Sequence, residues 1–113
     1  MTEMLLVLST FANEEDAARV VKRAASSERL IACGNLLPGA RSLLPLAGRR
    51  SPTTREVVVL MKTRKQDWTA LLSRLHELHP YETPECIAVR IAAGAPKYMA
   101  WLEASLEPEA TGG

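Results

Sequence analysis

Residues 56–80 read EVVVLMKTRKQDWTALLSRLHELHP, and the change of period inside this stretch decides the fold. Glu56 to Thr63 crowds three valines, a leucine and a methionine into a short run, the density of a buried strand. From Trp68 the apolar positions move to helical steps: Trp68, Leu71, Leu72, Leu75 and Leu78 lie at i, i+3, i+4, i+7 and i+10 and share one wide face. Pro80 stops that helix, because the residue before a proline is pushed out of the α region, so His79 sits at or just past the last turn.

Toward the N-terminus, LIACGNLLPGARSLLPL from Leu30 to Leu46 reads as a long strand. A bulge is expected near Pro38 and Gly39, since proline removes a ladder donor and glycine relieves the bend. The polar segment from Gly48 to Thr54 then turns this strand back onto the 56–63 strand as an antiparallel hairpin. Met4 to Thr10 is a first strand. Asn13 caps a helix from Glu14 to about Ser27, in which Ala17, Val20, Val21, Ala24 and Ala25 form a face of mostly small side chains. Toward the C-terminus, Glu85 to Ile91 alternates as a fourth strand. Pro96 opens a last helix with Met99, Trp101, Leu102 and Leu106 as its apolar contacts.

The order is βαββαβ with an added C-terminal helix, an α+β split-βαβ arrangement whose two helices cover one face of an antiparallel four-stranded sheet. The second sheet face is too apolar to be wetted, so association through the sheets is expected. Residues 1–107 form a single domain, and 108–113 are expected to be a flexible tail.

The 113 residues carry a formal charge of +1, which offers no general attraction for nucleic acid or anionic membranes. Local cationic groups are Lys62, Arg64 and Lys65, and Arg49, Arg50 and Arg55. An RNA-binding sheet would need exposed aromatics that MLLVLST and EVVVLMKT lack. Cys33 and Cys86 have no metal-finger spacing and sit in apolar contexts suited to buried free thiols. The opening MTEMLLVLSTF has no basic leader and too short an apolar run to span a membrane, so a cytoplasmic protein is expected.

Few residues carry chemistry. His76 and His79 are three apart and can meet one metal ion with a third donor such as Cys33, a soft ligand for copper; equally, His79 can finish the helix and His76 face solvent. Tyr81 and Glu82, between Pro80 and Pro84, point outward from a stiff connection. Lys62 closes its strand with an anion-binding charge or a plain edge guard. No HExxH, GxSxG, P-loop or GxGxxG is present, and the reading is of a protein that is not an enzyme.

Taken together, Ser9-Thr10 before an acidic helix, LIACGNLLPGARSL, Met61-Lys62-Thr63, HPYETPE over residues 79–85 and YMAWL over 98–102 resemble the CutA family across residues 4–106. The resemblance implies a ferredoxin-like subunit, a homotrimer similar in assembly to the PII signalling proteins, and a link to tolerance of copper or another divalent cation. It implies clefts between subunits, for which Lys62, Tyr81, Glu82 and Trp101 are the candidate lining, and leaves the downstream protein partner unnamed. In copper-binding members it implies a cysteine at the end of the first strand and two adjacent histidines; Ser9, Leu78 and His79 stand at those positions here. Leu44 to Arg49 replace an aromatic-rich family segment. The alternative function is a PII-like regulator that holds a small anionic ligand in the clefts by Lys62, Arg64 or the arginines after Gly48.

Overall fold

The long hairpin organises the molecule. The computed structural model describes residues 2–43 and 53–107, and within them the elements run β1 (Met4–Phe11), α1 (Glu14–Lys22), β2 (Cys33–Leu43), β3 (Thr53–Arg64), α2 (Trp68–Leu78), β4 (Ile87–Arg90) and α3 (Pro96–Leu106). All strand pairs are antiparallel, in the order β2-β3-β1-β4. The tail and the segment of Leu44 to Arg50 lie outside the described residues.

The strands keep their expected order but not every expected end. Thr53 and Thr54 already belong to β3, so the hairpin arm extends beyond Phe11, whose partner is Val57, as a two-stranded ribbon. β2 starts at Cys33 rather than Leu30, after Arg29 adopts φ 49, although Ala32 N–H still reaches Lys62 C=O at 2.8 Å. The register slips between Leu37 and Ala40, where Gly39 takes φ 85, the bulge that Pro38 and Gly39 require. β4 begins only at Ile87, and all its residues are exposed because it is an edge strand that no helix covers.

Alternation sorts the side chains onto two faces. Leu5, Val7 and Phe11 of β1 and Val57, Val59 and Met61 of β3 point to α1 and α2, where they meet Ala17, Val20, Val21, Leu71 and Leu75 in the main core. Asn13 caps α1 by accepting from Asp16 N–H at 2.8 Å, and Glu14, Glu15 and Asp16 complement the positive end of the helix. After Lys22 the helix widens into a π-helical turn over Arg23–Ser27. A Cβ at position 34 would lie 2.5 Å from Val21 Cγ1, so Gly34 is what lets α1 approach β2.

The third helix lies on the opposite face. Met4, the neighbour of Leu5, is buried against Leu102 and Leu106 in a separate cluster that also touches Cys33, Ile91 and Met99. α3 therefore covers one end of the second sheet face, the end holding Cys33 and Lys62. The rest of that face carries Leu6, Leu8, Val58 and Leu60, half-buried, and the exposed Leu37, Ile87 and Val89.

Candidate functional site

Two clusters hold the residues singled out by the sequence, one at each end of the sheet. At the far end of β1, α2 terminates at His79, whose backbone turns extended at φ −74 and ψ 132 while its N–H bonds Leu75 C=O at 2.8 Å. The helical face that His76 and His79 were expected to share is thereby broken. His79 swings under the sheet end and is buried, its ring stacked on Phe11 with centroids 4.1 Å apart. His76 stays exposed on α2, with Nδ1 3.1 Å from Leu72 C=O.

Both ring nitrogens of His79 are committed. Nδ1 accepts from Tyr81 N–H at 3.1 Å, which makes Nε2 the protonated nitrogen that donates to Thr10 C=O at 2.7 Å. Burial holds its pKa below the ordinary histidine value, against the pull of the Thr10 carbonyl. Tyr81 packs on the same ring at 4.8 Å and donates its hydroxyl to Glu56 Oε2 at 2.9 Å; Ser42 donates to the other oxygen at 2.5 Å. Burial first, then the Glu56 carboxylate, push the Tyr81 phenol up to about 12. Tyr81 thus ties the HPYETPE turn to the hairpin, while Glu82 is exposed.

At the other end, Cys33 and Lys62 are cross-strand partners. Lys62 Nζ donates to Tyr98 Oη at 2.7 Å and lies 5.2 Å from the centre of that ring, and Tyr98 stacks on Trp101 at 5.9 Å. The Tyr98 hydrogen bond raises the Lys62 pKa, opposed by burial and helped by the nearby Cys33. Trp101 is 53% exposed. No cation stands near Cys33 in the sequence, because Lys62 reaches it across strands. Tyr98 was legible only as a residue three positions before Trp101 on one helix face.

The expected thiol burial is incomplete: Cys33 and Cys86 are free and half-buried. Burial, then Glu85, push the Cys86 thiol up to about 11, far from a reactive thiolate. The histidines and Cys33 are not brought together within the chain. Thr10, which holds His79, pairs with Val58, whereas Cys33 pairs with Lys62, four residues along β3 or about 13 Å. Among the described residues no group of three His, Cys, Asp or Glu side chains is placed to hold a metal ion.

The three positions that the resemblance assigns to copper do not fit it either. Ser9 is fully buried with its Oγ unpartnered among the described residues, a hydroxyl where a soft thiolate would be wanted. Leu78 has no donor atom, and His79 would have to abandon a backbone bond to coordinate.

An α+β domain with a split-βαβ core, one helix-covered sheet face and a second face left largely to apolar side chains is the class this geometry defines. Within that class the chain belongs to the CutA1 family, whose model, described as CutA1 divalent ion tolerance protein, matches residues 5–105. It is 36% identical to the divalent-cation tolerance protein CutA of Pectobacterium atrosepticum over 94% of each chain. The Thermus thermophilus protein of that name is 38% identical, over 86% of this chain and 92% of its own. The CutA structure from Xylella fastidiosa superposes with a TM-score of 0.82 at 36% identity, covering 92% of this chain and 98% of that one. CutA1 from Oryza sativa gives 0.84 at 34% identity, with 92% and 94% covered. No helix among the described residues is long and apolar enough to cross a membrane.

Proposed function

We propose that the chain is a non-enzymatic subunit of a cytoplasmic homotrimer, joined through the open sheet face, that serves tolerance of or response to divalent cations, copper foremost. The observation that carries this reading is the apolar surface left on that face. Ile87 and Val89 remain 52% and 51% exposed beside the half-buried Leu6 and Leu8, and contiguous apolar surface of this kind marks an association site. The names of the relatives supply the cation half of the reading.

Metal contact in this reading is weak and lies outside the family's copper positions. His76 is the better of the two histidines for it, since its ring is exposed and only Nδ1 faces a carbonyl. Cys33, half-buried next to Lys62, is a donor only if a second subunit completes the set. The test couples light scattering with calorimetric titration of the reduced protein by Cu(II) and Zn(II). The expected result is a trimer that Ile87→Glu with Val89→Glu converts to monomer, and weak cation binding reduced by His76→Ala. A monomer in dilute buffer overturns the reading.

A second reading is favoured by Lys62, a charged ammonium set against Tyr98 at the corner between α3 and the open face. In a trimer that corner would border an intersubunit cleft with Trp101, and a small anion would be held there in the manner of PII-like regulators. A nucleotide that raises the unfolding temperature when copper does not would favour this alternative.

A further inference from the structure

After Arg90 the chain turns through Ile91 to Ala95 into α3, and a cavity of about 560 Å³ lies between that turn, the start of β1 and the helix. Met4, Ile91 and Met99 form its apolar wall, while Ala92, Ala93 and Ala100 are too short to fill it. A Cβ at position 94 would lie 2.5 Å from Met99 Sδ, so Gly94 lets the Met99 side chain lie against the turn. A more polar, shallow stretch of surface shares Thr2, Glu3 and Glu103 with this cavity and adds Lys65, Gln66 and Thr69.

The two carboxylates at the junction differ. Glu3 is neutralised by Arg90 at 2.9 Å and by Lys65 at 3.6 Å. Glu103 accepts from the Thr2 hydroxyl and, among the described residues, shows no ion pair within 4 Å, with the Arg64 guanidinium acting on it only from farther away. Lys65, 60% exposed and loosely held, can turn to another anion.

We propose that this cavity and the polar surface beside it bind an aliphatic α-amino acid, with its side chain in the apolar cavity, its ammonium on Glu103 and its carboxylate toward Lys65 and Thr69. A wall of thioether and hydrocarbon offers no hydrogen bonds and selects an apolar tail. Glu103 supplies the charge-assisted acceptor for an ammonium, and the ammonium of Lys65 with the hydroxyl of Thr69 suits a carboxylate. One chain supplies all of this lining and no metal is invoked, so its test is separate from those of the trimer and of cation binding.

The experiment is an NMR titration of the full chain with L-leucine, with 3-methylbutylamine, 4-methylpentanoic acid and glycine as comparisons. Leucine is expected to saturate at one per chain, and glycine to give no response. Loss of either charged group from the ligand, or Glu103→Gln, is expected to weaken binding by about tenfold or more, the effect of one charge-assisted contact. Ala100→Phe fills the cavity from an exposed helix position and is expected to abolish binding while the unfolding temperature holds. No saturable response to leucine would overturn the proposal, as would equal binding of all the ligands with tails. A folded Ala100→Phe protein that binds leucine unchanged would do the same.

Discussion

The imidazole of His79 lies nearly flat on Phe11, centroids 4.1 Å apart and planes 16° apart, and in that position the ring's two hydrogen bonds fix which protonation state the fold accepts. With Nδ1 accepting from Tyr81 N–H and Nε2 donating to Thr10, only the neutral ring satisfies both bonds. Burial lowers the folded-state pKa, whereas the unfolded chain titrates near the ordinary 6.5. The unfolded state therefore takes up a proton first as pH falls, and the neutral ring's contribution is complete above about 6.5 and declines below it, levelling off once the folded pKa is passed. Urea midpoints measured between pH 8 and pH 5 are expected to fall more steeply for the wild type than for His79→Gln. Parallel slopes for the two proteins would show that His79 is not the group responsible.

The same turn makes a spectroscopic prediction. Tyr81 is half-buried and bonded to Glu56 at 2.9 Å, and these two influences push its phenol up to about 12. Ultraviolet titration of the folded protein is expected to show a late phenolate component that Tyr81→Phe removes. That variant also leaves Glu56 Oε2 without its donor, at an expected cost of about 1.5–3 kcal/mol for a hydrogen bond to a charged group. A late component that survives in Tyr81→Phe would contradict the assignment.

Local rules carried most of the fold. The α2 periodicity with Pro80, the Asn13 cap, Pro96 at the first turn of α3 and the bulge at Pro38 and Gly39 are each set within a few residues, and each appears in the structure. Cross-strand and edge effects were not legible. Ile87 to Arg90 has the pattern of a covered strand, but its place at the sheet edge leaves it exposed. The candidate site suffered most from this limit. The spacing of His76 and His79 suggests one face only if both are helical, and His79 is already extended. The partners that commit its ring, Thr10 and Tyr81, arrive from another strand and from the far side of a proline.

Arg64 anchors the third helix to the sheet. Its guanidinium reaches Asp67 at 2.7 Å and Glu107 at 3.1 Å, at the end of β3 beneath the last turn of α3. The Asp67 hydrogen bond outweighs the effect of burial and raises the already high Arg64 pKa further. Arg64→Met retains the aliphatic stem but loses the fork, and is expected to cost about 2 kcal/mol, a charged hydrogen-bond loss only partly cushioned by solvent at Glu107. Hydrogen exchange is expected to quicken first over Pro96–Leu106. Uniform acceleration across all three helices would instead place the loss in global stability.

The approach of α1 to β2 at Gly34 gives a packing test. At Gly34 an added methyl would sit 2.5 Å from Val21 Cγ1 and 3.4 Å from Ile31 Cδ1, and Val21 belongs to the core with little freedom to retreat. Its β-branched side chain is held to one rotamer by the helix, so relief must come from moving α1 away from β2. Gly34→Ala is therefore expected to destabilise by about 1–3 kcal/mol through overpacking. Val21→Ala removes the opposing methyls and is destabilising alone, since it opens a cavity. Combined, the two changes place one methyl where two were lost, and the double variant is expected to be more stable than the sum of the single effects by about 1 kcal/mol or more. Strict additivity in chemical unfolding would mean that α1 and β2 do not meet at these two residues.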